Sequence, residues 1–317
     1  MRSCLIRKIS TAFKVYIRPT LCRIFNTAQY LLTPKDERIV LSVWIRHCGS
    51  HVFQNNWGDD INYHIFSLLS GKKIFGYSSL FPWAIRNAEN FTCIGSLIDS
   101  FCHQNTTVWG SGVLHGDSSL HIKPTRVCAV RGPLSRQFLL DNGVNCPEIY
   151  GDPALLLPRI VKCDTEKKYR LGIIPIMSDI HQPVLSKFAE DESVKIIDMT
   201  NYGDWHSVIY DICSCEFIVS SSLHGLIVAD AYNIPNARII FNEKSYAGGD
   251  FKYHDYFLSV SRDIRKPLSV NQSTTISDLI EECKIWKPIS IDLQPLIDAC
   301  PIKINFSEIK PPKNTIS

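Results

Sequence analysis

The sequence lacks any apolar run near the roughly 20 residues needed to span a bilayer, which excludes an ordinary transmembrane helix. It has no GxGxxG and no Walker lysine, so no nucleotide fingerprint is present. Its twelve cysteines are scattered, and the nearest pair, Cys213 and Cys215, is separated by one residue rather than two. No Cys/His pairing has zinc spacing, so no metal site is expected. No secretory signal is legible either. A cytoplasmic chain is therefore expected, its thiols reduced and mostly acting as small core hydrophobes. Sequence repeats and low-complexity tracts are missing, and only Lys310 to Ser317 reads as disordered.

Basic charge is scarce outside the start. Of 34 Lys/Arg, seven lie in residues 1–35, which hold no Asp or Glu, and the other 27 face 31 acidic residues. An acidic body argues against nucleic acid as a partner. Placed on a helix, Leu5, Ile6, Ile9, Phe13, Tyr16 and Ile17 gather on one side, with Arg7, Lys14 and Arg18 opposite. Such a helix lies on an anionic membrane surface or packs on its own domain. An Arg-rich, acid-free start also fits a transit peptide. Pro19 is expected to end it.

What is present is a globular α/β pattern. Hydrophobic content of 45% and charge of 21% suit a full core, and 317 residues suffice for two domains. Strands are expected at Ile39–Trp44, Lys73–Phe75, Phe91–Ile94, Thr107–Trp109, Arg126–Val130 and Glu148–Tyr150. A second set follows at Leu171–Ile176, Val194–Asp198, Phe217–Val219 and Ala237–Phe241. Helices at Ile61–Leu69, Pro133–Leu140, Pro183–Ala189, Asp204–Cys213 and Ile276–Trp286 alternate with them. The alternation predicts two doubly wound, Rossmann-like domains facing a cleft, at 38–160 and 161–310, after an N-terminal segment 1–37.

The stretch EFIVSSSLHGLIVADAYNIP, residues 216–235, organises the chain. An apolar strand stops at Ser220-Ser221-Ser222, and a helix starts around His224-Gly225. Ligands of open parallel sheets sit at such strand-to-helix turns, where free N–H groups favour an anion. A serine N-cap beside a packed histidine is the plain alternative. The loop Asn56-Trp57-Gly58-Asp59-Asp60 offers carboxylates that either cap the next helix or orient a hydroxyl. Gly110-Ser111-Gly112 allows close backbone approach or a tight turn. Arg131, ahead of Pro133, suits a bound oxyanion or a salt bridge to an aspartate. Lys252, in Phe251–Phe257 after Ala247-Gly248-Gly249, could close over an anion.

In order, NNWGDDIN (55–62), AVRGPLSRQFL (129–139), GDPALLLP (151–158), SSLHGLIVADAYNIP (221–235) and FKYHDYF (251–257) resemble the polysaccharide pyruvyl transferase family, in its exopolysaccharide and capsule branch. The resemblance implies a fold like the two-domain GT-B glycosyltransferases, without metal or cofactor. It implies transfer of the enolpyruvyl unit of phosphoenolpyruvate to two hydroxyls of a sugar, or of a lipid-linked oligosaccharide, giving a ketal. His224 is then the acid/base and Asp59 serves on the acceptor side. Arg131, Ser221, Ser222, Gly225 and Lys252 receive the donor, while Asn56, Gly58, Asp60, Ser111 and Gly112 line the acceptor side. Some members carry an arginine where this chain has Ser222, and Lys252 is the expected substitute. Two other functions stay open: a glycosyltransferase using a nucleotide sugar, and a non-catalytic assembly protein working through its basic start. For each the location is cytoplasmic, with a peripheral place on the inner membrane face for residues 1–35.

Overall fold

The computed structural model describes residues 18–241 and 248–304. The expectations for residues 1–17, Ala247 and 310–317 lie outside them. Helix α1 spans Arg18–Leu32. Pro19 stands in its first turn, a position where the missing N–H costs no hydrogen bond.

The first sheet is built from β1 (Arg38–Leu41), β2 (Lys73–Gly76), β3 (Asn90–Thr92), β4 (Thr106–Trp109) and β5 (Arg126–Ala129). Its order is β2-β1-β3-β4-β5, every pairing parallel. The second holds β6 (Tyr169–Ile174), β7 (Val194–Ile196), β8 (Cys215–Ser220), β9 (Asn236–Ile240) and β10 (Leu268–Ser269). Its order is β7-β6-β8-β9-β10, again wholly parallel. Each sheet thus has the same doubly wound order, and each reverses direction beside its first strand. Parallel strands need crossovers, which fixes the alternation seen in sequence.

The helices that matter for the site are α2 (Trp57–Ser70), α3 (Pro133–Asp141), α4 (Pro183–Ala189), α5 (Trp205–Cys213), α6 (Leu223–Ala231), α7 (Phe251–Ser259) and α8 (Ile276–Lys284). Asn56 caps α2 through its side chain, and Gly71, at φ 65°, ends it in the left-handed conformation glycine adopts freely. Helix α2 therefore starts four residues before the apolar period suggests, because the cap and first turn are polar. Glu148–Tyr150 reduces to one bridge, between Val130 and Tyr150. Strand β10 and the antiparallel ribbon of His47–Cys48 with His51–Val52 are too short to leave a period in sequence.

One core runs between the sheets. Trp57, Ile61, Ile65 and Ile94 from the first half pack with Val208, Ile212, Leu226 and Ile227 from the second. Trp57 fastens the join, its backbone N–H donating to Met199 O at 2.8 Å and its indole N–H to Trp205 O at 2.7 Å. The tail then crosses back: Trp109 Nε1 donates to Leu296 O at 2.8 Å, and Leu296 and Ile302 complete the first sheet's core. The eleven described cysteines are free thiols, most of them buried. No helix of the described residues is long and apolar enough to cross a membrane.

Candidate active site

The turn after β8 is held from behind. Ser220 Oγ accepts from Ser222 N at 2.9 Å and lies 3.1 Å from Ile174 O. Ser221 Oγ donates to Asp179 Oδ2 at 2.9 Å and accepts from Ile176 N at 3.0 Å. These bonds clamp the β8 turn onto the loop after β6, at the reversal point of the second sheet. Gly225 is required by packing, since a Cβ there would fall 2.4 Å from Ser220 Oγ. Ser221 and Gly225 therefore shape the seat. Ser222 stands at the N-cap without a side-chain cap bond. The first-turn N–H groups of Leu223, His224 and Gly225 consequently have no cap, as an anion seat requires.

The loop after β1 meets this turn from the other sheet. A Cβ on Gly58 would lie 2.0 Å from His224 Nδ1, so the imidazole rests on bare backbone at the start of α2. Its Nε2 is buried without a hydrogen-bond partner among the described residues. Burial, with the positive fields of Arg131 and Lys252, pushes the ring's pKa down to about 3. Next to it, burial pushes Asp59 up to about 7, against the pull of the Asn56 amide. The Asn56 side chain donates to Asp59 Oδ2 at 2.7 Å. Lys252 is pushed down to about 8, first by burial and then by Arg131 and Arg238, with Asp59 opposing. Three displaced groups of mixed sign share one site, the pattern of acid–base chemistry near neutral pH.

Arg131 shows its salt-bridge alternative. Its side chain is fully buried and paired with Asp255 Oδ2 at 3.0 Å. The guanidinium also donates to Ser96 Oγ at 2.5 Å and Val113 O at 3.1 Å. Asp255 in turn accepts from Ser135 N at 2.8 Å and Ser135 Oγ at 2.6 Å. Gly112 lets that guanidinium lie flat, because a Cβ would sit 2.3 Å from its Cζ. Arg131 thus reaches the site through its field, and its pair locks α7 onto α3. Asp60 is likewise committed: Oδ2 accepts from Asn55 N at 2.9 Å, Asn56 N at 3.2 Å and Tyr202 Oη at 3.0 Å. The Ser111 hydroxyl is buried and donates to Gly95 O at 2.9 Å. Asn56, Gly58 and Asp60 thus shape the start of α2 around Asp59, whereas Ser111 and Gly112 lie against Arg131.

Asp255 and Arg238 were not signalled as site residues. Asp255 hides in an aromatic helix, where its charge reads as the solvated face. Arg238 offered one cue, a cation inside the apolar strand Ala237–Phe241.

Residues 108–240 match the family model described as polysaccharide pyruvyl transferase. The chain is 31% identical over 181 residues to an uncharacterized protein of Acanthamoeba polyphaga mimivirus, covering 55% of this chain and 62% of that protein. It is 25% identical over 235 residues to the succinoglycan biosynthesis protein ExoV of Rhizobium meliloti (strain 1021), covering 73% of this chain and 69% of that protein. The chain thus spans less than two thirds of the mimivirus protein. The matched segment contains Arg131, the β8 turn with His224, and Arg238, whereas Asp59 and Lys252 lie outside it.

Proposed function

We propose that this chain, a member of the polysaccharide pyruvyl transferase family, moves the enolpyruvyl group of phosphoenolpyruvate onto two hydroxyls of a sugar in a cell-surface polysaccharide or its precursor. The observation that carries the proposal is the meeting of His224, Asp59 and Lys252 at the uncapped start of α6. A GT-B-like arrangement is part of the reading, supported by two sheets of identical order whose reversal points face each other through Gly58 and His224. Phosphoenolpyruvate brings a small trianion. Ser222, the first-turn N–H groups and the Lys252 ammonium receive it, with Arg131 adding field from behind.

The unliganded imidazole is neutral at pH 7, so it must gain a proton when the donor binds. Returning its pKa from about 3 to near neutral takes roughly 5 kcal/mol, at 1.36 kcal/mol per unit. One charge about 5 Å away contributes about 3 kcal/mol at an effective dielectric of about 20, so two of the donor's charges suffice. Imidazolium then protonates the methylene carbon, and C2 becomes electrophilic. A sugar hydroxyl adds there, its proton passing to the Asp59 carboxylate. Phosphate leaves with its bonding electrons, and the second hydroxyl closes the ketal while its proton passes to phosphate.

Exposed Leu21, Ile24 and Phe25 on α1, with exposed Trp44 and Trp83 nearby, support work at a membrane surface. Arg18, Arg23 and Arg46 line a groove with Trp44 beside α1 and favour anionic lipid. The proposal as a whole is tested by incubating the purified chain with acceptor and either phosphoenolpyruvate or a nucleotide sugar. Phosphate release from the former, with a mass gain of about 70 Da per acceptor repeat as its formula requires, is expected. Consumption of the nucleotide sugar alone would replace it with glycosyl transfer. His224→Ala should abolish turnover in a folded protein.

A further inference from the structure

We infer that Arg238 is an oxyanion ligand of the donor seat, donating to an anionic group through an unspent guanidinium nitrogen. This rests on the donor reading above but is argued from separate atoms. Arg238 lies within β9, flanked by the buried Ala237 and Ile239, and stands opposite Ser220 in the strand register. That register places it beside the turn that carries His224. Its residue exposure is 7%, and a cation so buried needs partners.

Only one nitrogen has one. Arg238 Nη2 bonds Asp250 Oδ1 at 2.5 Å, and that carboxylate is itself 57% exposed, so water weakens the pair. Nε and Nη1 are buried with no hydrogen-bond partner among the described residues. Together they carry three N–H donors. The guanidinium plane lies over the Tyr253 ring, 3.6 Å from its centroid. Tyr253 Oη donates to Ser221 O at 2.6 Å, tying that plane to the β8 turn. Arg238 is also one of the cations whose field acts on Lys252. A buried, oriented guanidinium with unspent donors, a nearby ammonium and an uncapped helix start together fit a compact oxygen dianion. Phosphate and carboxylate share that chemistry, and phosphoenolpyruvate carries both.

The test separates Arg238 from the reaction class. Inorganic phosphate and pyruvate are titrated separately by calorimetry into the full chain and into Arg238→Gln and Arg238→Lys. Phosphate affinity should fall about tenfold to hundredfold in Gln, as loss of charged hydrogen bonds implies, and by less in Lys. A pyruvate response of that size with phosphate unmoved would assign the guanidinium to the carboxylate. In turnover, KM for phosphoenolpyruvate should rise by a similar factor while the acceptor KM stays within twofold, a split that a packing role would not give. If Arg238→Gln fails to fold, Arg238→Lys keeps the charge and the Tyr253 contact. In the unsubstituted chain, the Arg238 Nε–H resonance should shift on adding whichever anion binds. Unchanged affinity for both anions in the variants, or an unmoved resonance at saturation, overturns the assignment. If phosphate binds through Arg238 yet phosphoenolpyruvate is never consumed, the pyruvyl reading fails and the anion ligand stands.

Discussion

Gly58→Ala puts the contact between the two halves to its hardest test. The added methyl would lie 2.0, 2.5 and 2.6 Å from His224 Nδ1, Cγ and Cε1. Ordinary carbon contacts are about 3.5 Å, so the ring must retreat by about 1.5 Å or α2 must shift. Overpacking of this kind costs about 1–3 kcal/mol. Alanine recovers up to about 1 kcal/mol of helix propensity at the same position. The net loss of stability is therefore small, about 0–2 kcal/mol by those figures. Displacing an acid by about 1 Å costs on the order of a hundredfold in rate. Phosphate release from phosphoenolpyruvate in the presence of acceptor should fall by that factor, with the donor KM changed far less. Urea unfolding run alongside should show a cooperative, near-native transition. A folded Gly58→Ala chain with wild-type turnover would refute both the ring's placement and its role.

Other outcomes follow from the same packing and electrostatics. Asp255→Asn leaves the Arg131 charge buried and unpaired, and breaking such a pair costs about 3–5 kcal/mol; urea midpoints should drop accordingly, and an unchanged midpoint would deny the lock between α3 and α7. The folded pKa of Asp59 is raised above its unfolded value, so its native carboxyl holds its proton longer and it lowers stability as pH rises from about 4 to about 7. His224 is depressed, so its share of stability is present above pH 6.5 and is lost as pH falls toward about 3. Asp59→Asn should therefore leave a melting temperature that climbs from pH 4 to 6.5, and His224→Gln one that declines from pH 4 to 7. Matching profiles in the two variants would reject the opposed shifts. Phe25→Glu on α1 should weaken sedimentation with vesicles of mixed anionic and neutral lipid while leaving phosphate release unchanged; unaltered sedimentation would remove α1 from the contact.

Much of the architecture was legible because parallel strands buried on both faces leave unbroken apolar runs, and their crossover helices leave a 3.6-residue period. The buried run Leu171-Gly172-Ile173-Ile174 of β6, and Val184, Leu185 and Phe188 buried along α4, show this directly. What escaped had no period to leave. Two-residue β10 and the return of Leu296 to the first sheet depend on contacts far apart in the chain. The site divides along the same line. His224 and Asp59 were visible because chemistry-bearing residues at strand-to-helix turns break a local pattern. Whether a cation there holds a ligand or a neighbour is settled by residues more than a hundred positions away. Arg131 illustrates it: the sequence left an oxyanion and an aspartate as equal partners, and Asp255, 124 residues on, takes the guanidinium. With that guanidinium held by Asp255, the seat at α6 must draw its contacting cations from elsewhere. Lys252, with no ion pair among the described residues, and Arg238, with two unpartnered nitrogens, are the cations beside it that remain to meet an anion.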